Sequence, residues 1–203
     1  MIFDRDMRMS SFISNVCRNV YLQIRTISHI RDFISEDVAK KLVTSFVLSK
    51  LDYCNSLFVG LSDNQIKRLQ VAQNSAARLI KRQGRRCHIT PILYDLHWLP
   101  VQQRIQYKIC FFVFKCINNL APSYLKSMVQ LYIPNEFRKK LRSSVDTFSL
   151  VNIDFNYKKY GERSFLYQSA KIWNRLPLEL RECTSIDIFK VKLKTHLFEN
   201  YFG

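Results

Sequence analysis

Glycine and proline are both scarce, 4 and 5 of 203 residues. That leaves little material for the tight turns of a β-rich fold and makes helices the default expectation. Acids are scarce too: 16 Asp and Glu stand against 32 Lys and Arg, a net charge of +16. The imbalance runs through the whole chain, +7 over residues 1–100 and +9 over 101–203, so it is no detachable basic tail. Such a balance favours nucleic acid or an anionic surface as partner and says nothing about fold. Long apolar runs are missing. The longest, Ile109 to Ile117, is interrupted by Lys115 and is far too short to span a bilayer. The segment Met1-Ile-Phe-Asp-Arg-Asp carries acids where a secretion signal would be basic and then apolar. No membrane partner and an intracellular location are therefore expected.

Several chemistries lack their residues. The six cysteines, at 17, 54, 87, 110, 116 and 183, form no C-x-x-C and no Cys/His pair at zinc-finger spacing. Buried thiols acting as small hydrophobes are expected instead. Neither G-x-x-x-x-G-K-[ST] nor G-x-G-x-x-G occurs, so no phosphate-cradling loop is signalled and no cofactor is expected. H-E-x-x-H and G-x-S-x-G are absent, as is any Asp-Asp pair that could help hold two catalytic cations. Cys87, His88, Asp95 and His97 offer the residue types of a nucleophile, a base and an orienting acid. Helix-start chemistry at Thr90-Pro91 and packing of Trp98 and Leu99 ahead of Pro100 explain that stretch better. The chain does not read as a complete enzyme.

What remains is a globular composition, 47% hydrophobic and 24% charged, in a length that suits one domain or one with a small appendage. Phe12, Ile13, Val16, Val20, Ile24 and Ile27 recur at helical steps. Ser35 followed by Glu36 and Asp37 reads as an N-cap with acids in the first turn. The helix it opens carries Val38, Leu42, Ser45, Phe46, Ser49 and Tyr53 on one side and ends before Gly60. Ser62 and Gln65 form a capping-box pair opening a helix that stops at Gly84. Short helices follow Thr90-Pro91 and Pro122, and a long one follows Pro100. Periodicity weakens between about Leu131 and Tyr160, where Phe148, Leu150 and Asn152-Ile153 allow a short strand or hairpin. It returns over Glu162 to Asn174, and Thr184 with Asp187 predicts a last capping box. The expected architecture is mostly α, about eight helices in two groups. A helical domain over 1–130 is followed by an irregular basic linker over 131–160 and a helical extension over 161–203.

The segment Lys67 to Arg86 is the most informative. It holds Lys67, Arg68, Arg78, Lys81, Arg82, Arg85 and Arg86 and no acid. At about 100° per residue from Lys67, Arg78 falls near 20°, Arg82 near 60°, Lys81 near −40° and Arg68 near 100°. On the same count Ala72, Ala76, Leu69 and Ile80 fall at about 140°, 180°, 200° and 220°. One face should dock on the core while the other presents a positive stripe. Solvated faces usually mix signs, and this one does not. Five phosphate contacts along it would give a log K against log [salt] slope of roughly −4. A second basic cluster, Arg138-Lys139-Lys140 with Arg142, lies in the irregular segment and suits either a nucleic-acid backbone or solubility.

The strings SKLDYCNSLFVGL, LQVAQNSAARLI, HITPILYDLHWLPVQQRIQYKI, NNLAPSYL, LRSS, YGERSF, AKIWNRLPLELR and FKVKLKTHLF occur in that order. Together they resemble the region downstream of the polymerase palm in reverse transcriptases of jockey-like non-LTR (LINE) retrotransposons, over about Phe12 to Phe198. The resemblance implies the thumb and C-terminal extension of an RNA-directed DNA polymerase that copies RNA into DNA at a nicked target. The family's Phe/Tyr-x-Asp-Asp palm motif, its finger motifs and its endonuclease have no counterpart here, so no catalytic residue carries over. The resemblance thus implies a truncated, catalytically silent fragment that contacts RNA–DNA hybrid or duplex nucleic acid through phosphates. A nuclear location follows from the parent's chemistry. The alternatives left open are a helical protein-interaction module docking on a separate palm or another protein, and a non-functional relic.

Overall fold

A computed structural model describes residues 9–132, 148–152 and 161–203. The chain is mostly helical, as its scarcity of glycine and proline predicts. The described residues pack as two units, 1–105 with 201–203, and 106–200. Residues 106–130, expected with the N-terminal helices, thus belong with the C-terminal ones.

In the first unit α1 (Ser10–Ile30) buries Phe12, Ile13, Val16, Cys17, Val20 and Ile27, the predicted stripe with Ile24 half-buried at its edge. Ser35 caps α2 (Glu36–Val43), its hydroxyl accepting from the Val38 amide at 3.3 Å. A π-type turn, Thr44–Leu48, carries the chain into α3 (Ser49–Asp52). The side read from sequence lies largely in solvent: Val38, Phe46 and Tyr53 are exposed, while Ala39, Val43, Val47, Leu48 and Leu51 are buried. This stretch is apolar on more than one side, and the wide turn adds a residue that shifts the period midway.

The next helix, α4 (Asp63–Lys81), buries Leu69, Ala72, Ala76 and Ile80 completely, as the angular count predicts. Ser62 and Gln65 meet differently from a capping box. The Ser62 hydroxyl donates to Gln65 Oε1 at 3.2 Å, and Gln65 Nε2 reaches Ser10 Oγ at 3.1 Å. The helix ends before Gly84, with Arg82 in the left-handed region (φ 51°) and the Gln83 amide bonded to the Arg78 carbonyl at 2.9 Å. A side chain at that position costs about 1 kcal/mol relative to glycine. Here Arg82 is held by its own guanidinium, which donates to the carbonyls of Arg31 (3.0 Å) and Asp32 (3.4 Å) beyond α1. Buried Arg31 answers in kind. It donates to the carbonyls of Leu79 (3.1 Å), Ile80 (2.6 Å) and Ile34 (2.9 Å), so the C-terminal ends of α1 and α4 each receive the other's arginine. A cation at a helix C-terminus also meets the favourable end of the dipole. Replacing Arg31 with alanine removes three hydrogen bonds to backbone carbonyls and is expected to cost about 2–3 kcal/mol, measured by urea unfolding. Lysine should not rescue it, because its point charge cannot span the three acceptors.

Beyond α4 lie α5 (Ile89–Asp95) and α6 (Val101–Ile117). Gln70 Oε1 accepts from the Val101 amide at 2.8 Å and Gln73 Nε2 donates to the Leu99 carbonyl at 2.9 Å, so α4 fixes the start of α6. Arg104 forks onto both oxygens of Asp52, with Nε at 2.8 Å from Oδ1.

In the second unit α6 is followed by α7 (Ser123–Lys126), α8 (Phe165–Trp173), α9 (Leu178–Arg181) and α10 (Ile186–Phe202). Phe114 stacks on Phe189 with centroids 4.3 Å apart, and Trp173 lies 5.9 Å from Phe189. The strand reading at 148–152 reduces to one antiparallel bridge, Leu131 to Leu150; Ile153 lies outside the described residues. That return segment is held by α8 and α9. Trp173 Nε1 donates to the Phe148 carbonyl (2.8 Å), and Asn174 both accepts from the Leu150 amide (2.8 Å) and donates to its carbonyl (2.9 Å). Arg181 Nη1 donates to Ser149 Oγ at 2.9 Å. The last helix begins at Ile186, one residue later than Thr184 as its cap predicts. The Phe189 amide bonds the Ser185 carbonyl at 3.0 Å, and Asp187 pairs with Lys190.

Candidate nucleic-acid interface

The basic helix does not present one uniform stripe. Lys81 Nζ binds both Asp95 and Glu36, carboxylates contributed by α5 and by the first turn of α2. Arg82 lies 3.9 Å from Asp32 in addition to its carbonyl bonds. Arg78 is half-buried, with one Nη donating to the Cys87 carbonyl at 3.1 Å. Three of the cations that the angular count places on the stripe, Arg78, Lys81 and Arg82, are therefore engaged by other groups of the protein. The sequence signal, an acid-free run, missed this because the acids arrive from elsewhere in the chain.

The remaining cations lie toward the two ends of α4. Lys67 and Arg68 are exposed near its start, Arg85 and Arg86 just past its end. Arg68 donates to the neutral Ser14 hydroxyl at 3.0 Å, which leaves its charge uncompensated. Among the described residues no carboxylate pairs with any of these four. The rise of 1.5 Å per residue between Arg68 and Arg82 separates the two pairs by roughly 20 Å. Two doubly charged points at that spacing can grip a polyanion at two places along its backbone. Arg138, Lys139 and Lys140 lie outside the described residues.

The Lys81 network has a pH signature. Its bonds to Asp95 first and Glu36 second raise the Lys81 pKa above its ordinary value, and Lys81 in turn lowers that of Asp95. A lowered carboxylate pKa means a contribution present above the unfolded value and lost as pH falls through the folded one. Lys81→Met should therefore lose less stability than the wild type on acidification from about pH 5 to about pH 2, measured by denaturation midpoint.

Asp95 is engaged by Lys81, and the Cys87 thiol points to the His88 carbonyl at 3.8 Å. Among the described residues no group of His, Cys, Asp or Glu could hold a metal ion. Burial pushes the Cys110 thiol up to about 12 and raises those of Cys17 and Cys116. No helix among the described residues is long and apolar enough to cross a membrane.

Comparison with known proteins finds no matching family model, no matching curated protein and no matching solved structure.

Proposed function

We propose that the chain binds RNA–DNA hybrid or duplex nucleic acid through its phosphates and derives from the thumb and C-terminal extension of a LINE-type reverse transcriptase, without polymerase activity of its own. The observation that carries this reading is the set Lys67, Arg68, Arg85 and Arg86, exposed and without a carboxylate partner among the described residues. These side chains offer charge and no ordered array of base-reading groups, so binding should show little sequence preference. The quoted strings supply the frame around them. Gln70 and Gln73 of one string hold the Leu99–Val101 turn of the next, and Asp52 of an earlier one receives Arg104. Titrating the chain against two labelled hybrids of unrelated sequence at 0.1 M salt should give affinities equal within a few-fold. Strong preference for one hybrid, or no binding to either, contradicts the reading. A nuclear location follows from the chemistry of the parent and is part of this proposal.

A second reading, docking on a polymerase palm or another protein, is favoured by a specific observation. Phe33 is 88% exposed, and Val38, Phe46 and Tyr53 also face solvent along α2 and α3. Exposed large apolar side chains that cluster on one surface mark a site that a partner covers. Replacing Phe33 and Phe46 with serine should raise solubility at low salt if that reading holds and leave hybrid binding unchanged.

A further inference from the structure

The second unit carries lysines posed over aromatic rings on a helix face with almost no acid. Lys115 Nζ lies 4.8 Å from the centroid of Phe111, and Lys190 Nζ lies 5.6 Å from the same ring. Lys108 sits 5.8 Å from Phe112, and Tyr107 stacks parallel to Phe111, 5° between planes. Two ammoniums sharing one ring lie within about 10 Å of each other, a single Debye length at 0.1 M salt. Covering a ring with a lysine stem needs one lysine, and a second adds repulsion. The compensation nearby is slight. From Val101 to Ile117 α6 contains no Asp or Glu. Among the described residues the carboxylate paired on this face is Asp187, 3.2 Å from Lys190 and largely exposed. The rings meanwhile restrict the ammoniums, so part of the ordering cost of a salt contact is met before any anion arrives.

We infer that Lys108, Lys115 and Lys190 form a second phosphate-contacting surface, separate from the cations of α4, that holds a nucleic-acid strand on the 106–200 unit. The inference rests on the nucleic-acid reading above and adds a location to it. The shared chemistry is the phosphodiester, which a single strand and a hybrid duplex both supply, and the two probes are tested side by side.

The test uses the full chain with Lys108, Lys115 and Lys190 all replaced by glutamine, titrated by fluorescence anisotropy against a labelled 20-nucleotide oligo(dT) and a labelled RNA–DNA hybrid. Three lost contacts should make the log K against log [salt] slope shallower by about 2 for the single strand and by about 2.7 for the duplex. A shift with one probe alone identifies the strand form that this surface holds. The matching triple arginine variant keeps the charges and should keep the slopes. Unchanged slopes in the glutamine variant, with the wild type binding both probes, overturn the inference and leave the α4 reading standing. Absence of binding by the wild type overturns both. An independent readout needs no variant. Lysine acetylation of the wild type, mapped by mass spectrometry, should be slowed several-fold at Lys108, Lys115 and Lys190 by oligo(dT). Equal modification with and without the oligonucleotide, or protection by polyglutamate alone, contradicts a nucleic-acid surface.

Discussion

Replacing Trp173 with alanine is expected to destabilise the second unit by about 3–5 kcal/mol, the range for removing a large buried aromatic side chain. Trp173 is 1% exposed and packs beside Phe189, which itself stacks on Phe114. Truncation would open a cavity between α8 and α10 and also remove the indole N–H that holds the Phe148 carbonyl at 2.8 Å. The two losses separate experimentally. Trp173→Phe keeps most of the ring volume and loses the donor, so it should cost about 1–2 kcal/mol by urea unfolding followed in the far ultraviolet. A cost under about 1 kcal/mol for the alanine variant would mean that the 148–152 return is not anchored as described. Asn174 supports the same segment by a different route, since its side-chain amide pairs with both backbone groups of Leu150 as a neighbouring strand would.

The second large effect concerns binding. Replacing Lys67, Arg68, Arg85 and Arg86 together with alanine should weaken hybrid binding by on the order of 10³-fold at 0.1 M salt, the counterion-release contribution of four phosphate contacts. Replacing Lys81 and Arg82 instead should change affinity only a few-fold. Both already sit against carboxylates, Lys81 against Asp95 and Glu36 and Arg82 against Asp32. Their loss would be felt mainly as stability, because Arg82 also satisfies the carbonyls beyond α1. The contrast between the two variants separates an arrangement at the ends of the helix from the continuous stripe that the angular count describes.

The comparison between these two variants also marks how far the sequence could be read. A face of one helix is legible from its own residues: Leu69, Ala72, Ala76 and Ile80 fall on one arc and are all fully buried. The state of its charges is not, because compensation depends on what other elements bring. Glu36 and Asp95 reach Lys81 from opposite directions along the chain, and nothing in the run Lys67 to Arg86 announces them. Local caps were legible where a side chain acts on its own helix, as Ser35 does. They were not where a longer-range partner competes, as Ser10 does for Gln65. The end of α4 follows the same rule: a left-handed arginine is invisible to local propensity, since the bonds that hold it come from beyond α1. Segment 148–152 gave only a weak strand signal because its partners are largely side chains, Trp173, Asn174 and Arg181, on helices that follow it. Phe46 turned outward where the π-type turn between α2 and α3 shifts the period, and Val38 lies outside the Ala39 and Val43 stripe that α2 buries.

A salt series shows whether the acid-free cations toward the two ends of α4 grip a phosphate backbone. Anisotropy of a labelled RNA–DNA hybrid would be followed across salt for the wild type and for the variant lacking Lys67, Arg68, Arg85 and Arg86. The variant's slope of log K against log [salt] should be shallower than the wild type's by about 3.6, four contacts at 0.9 each. Equal slopes in the two proteins would contradict the claim, because cations that release no counterions touch no phosphate.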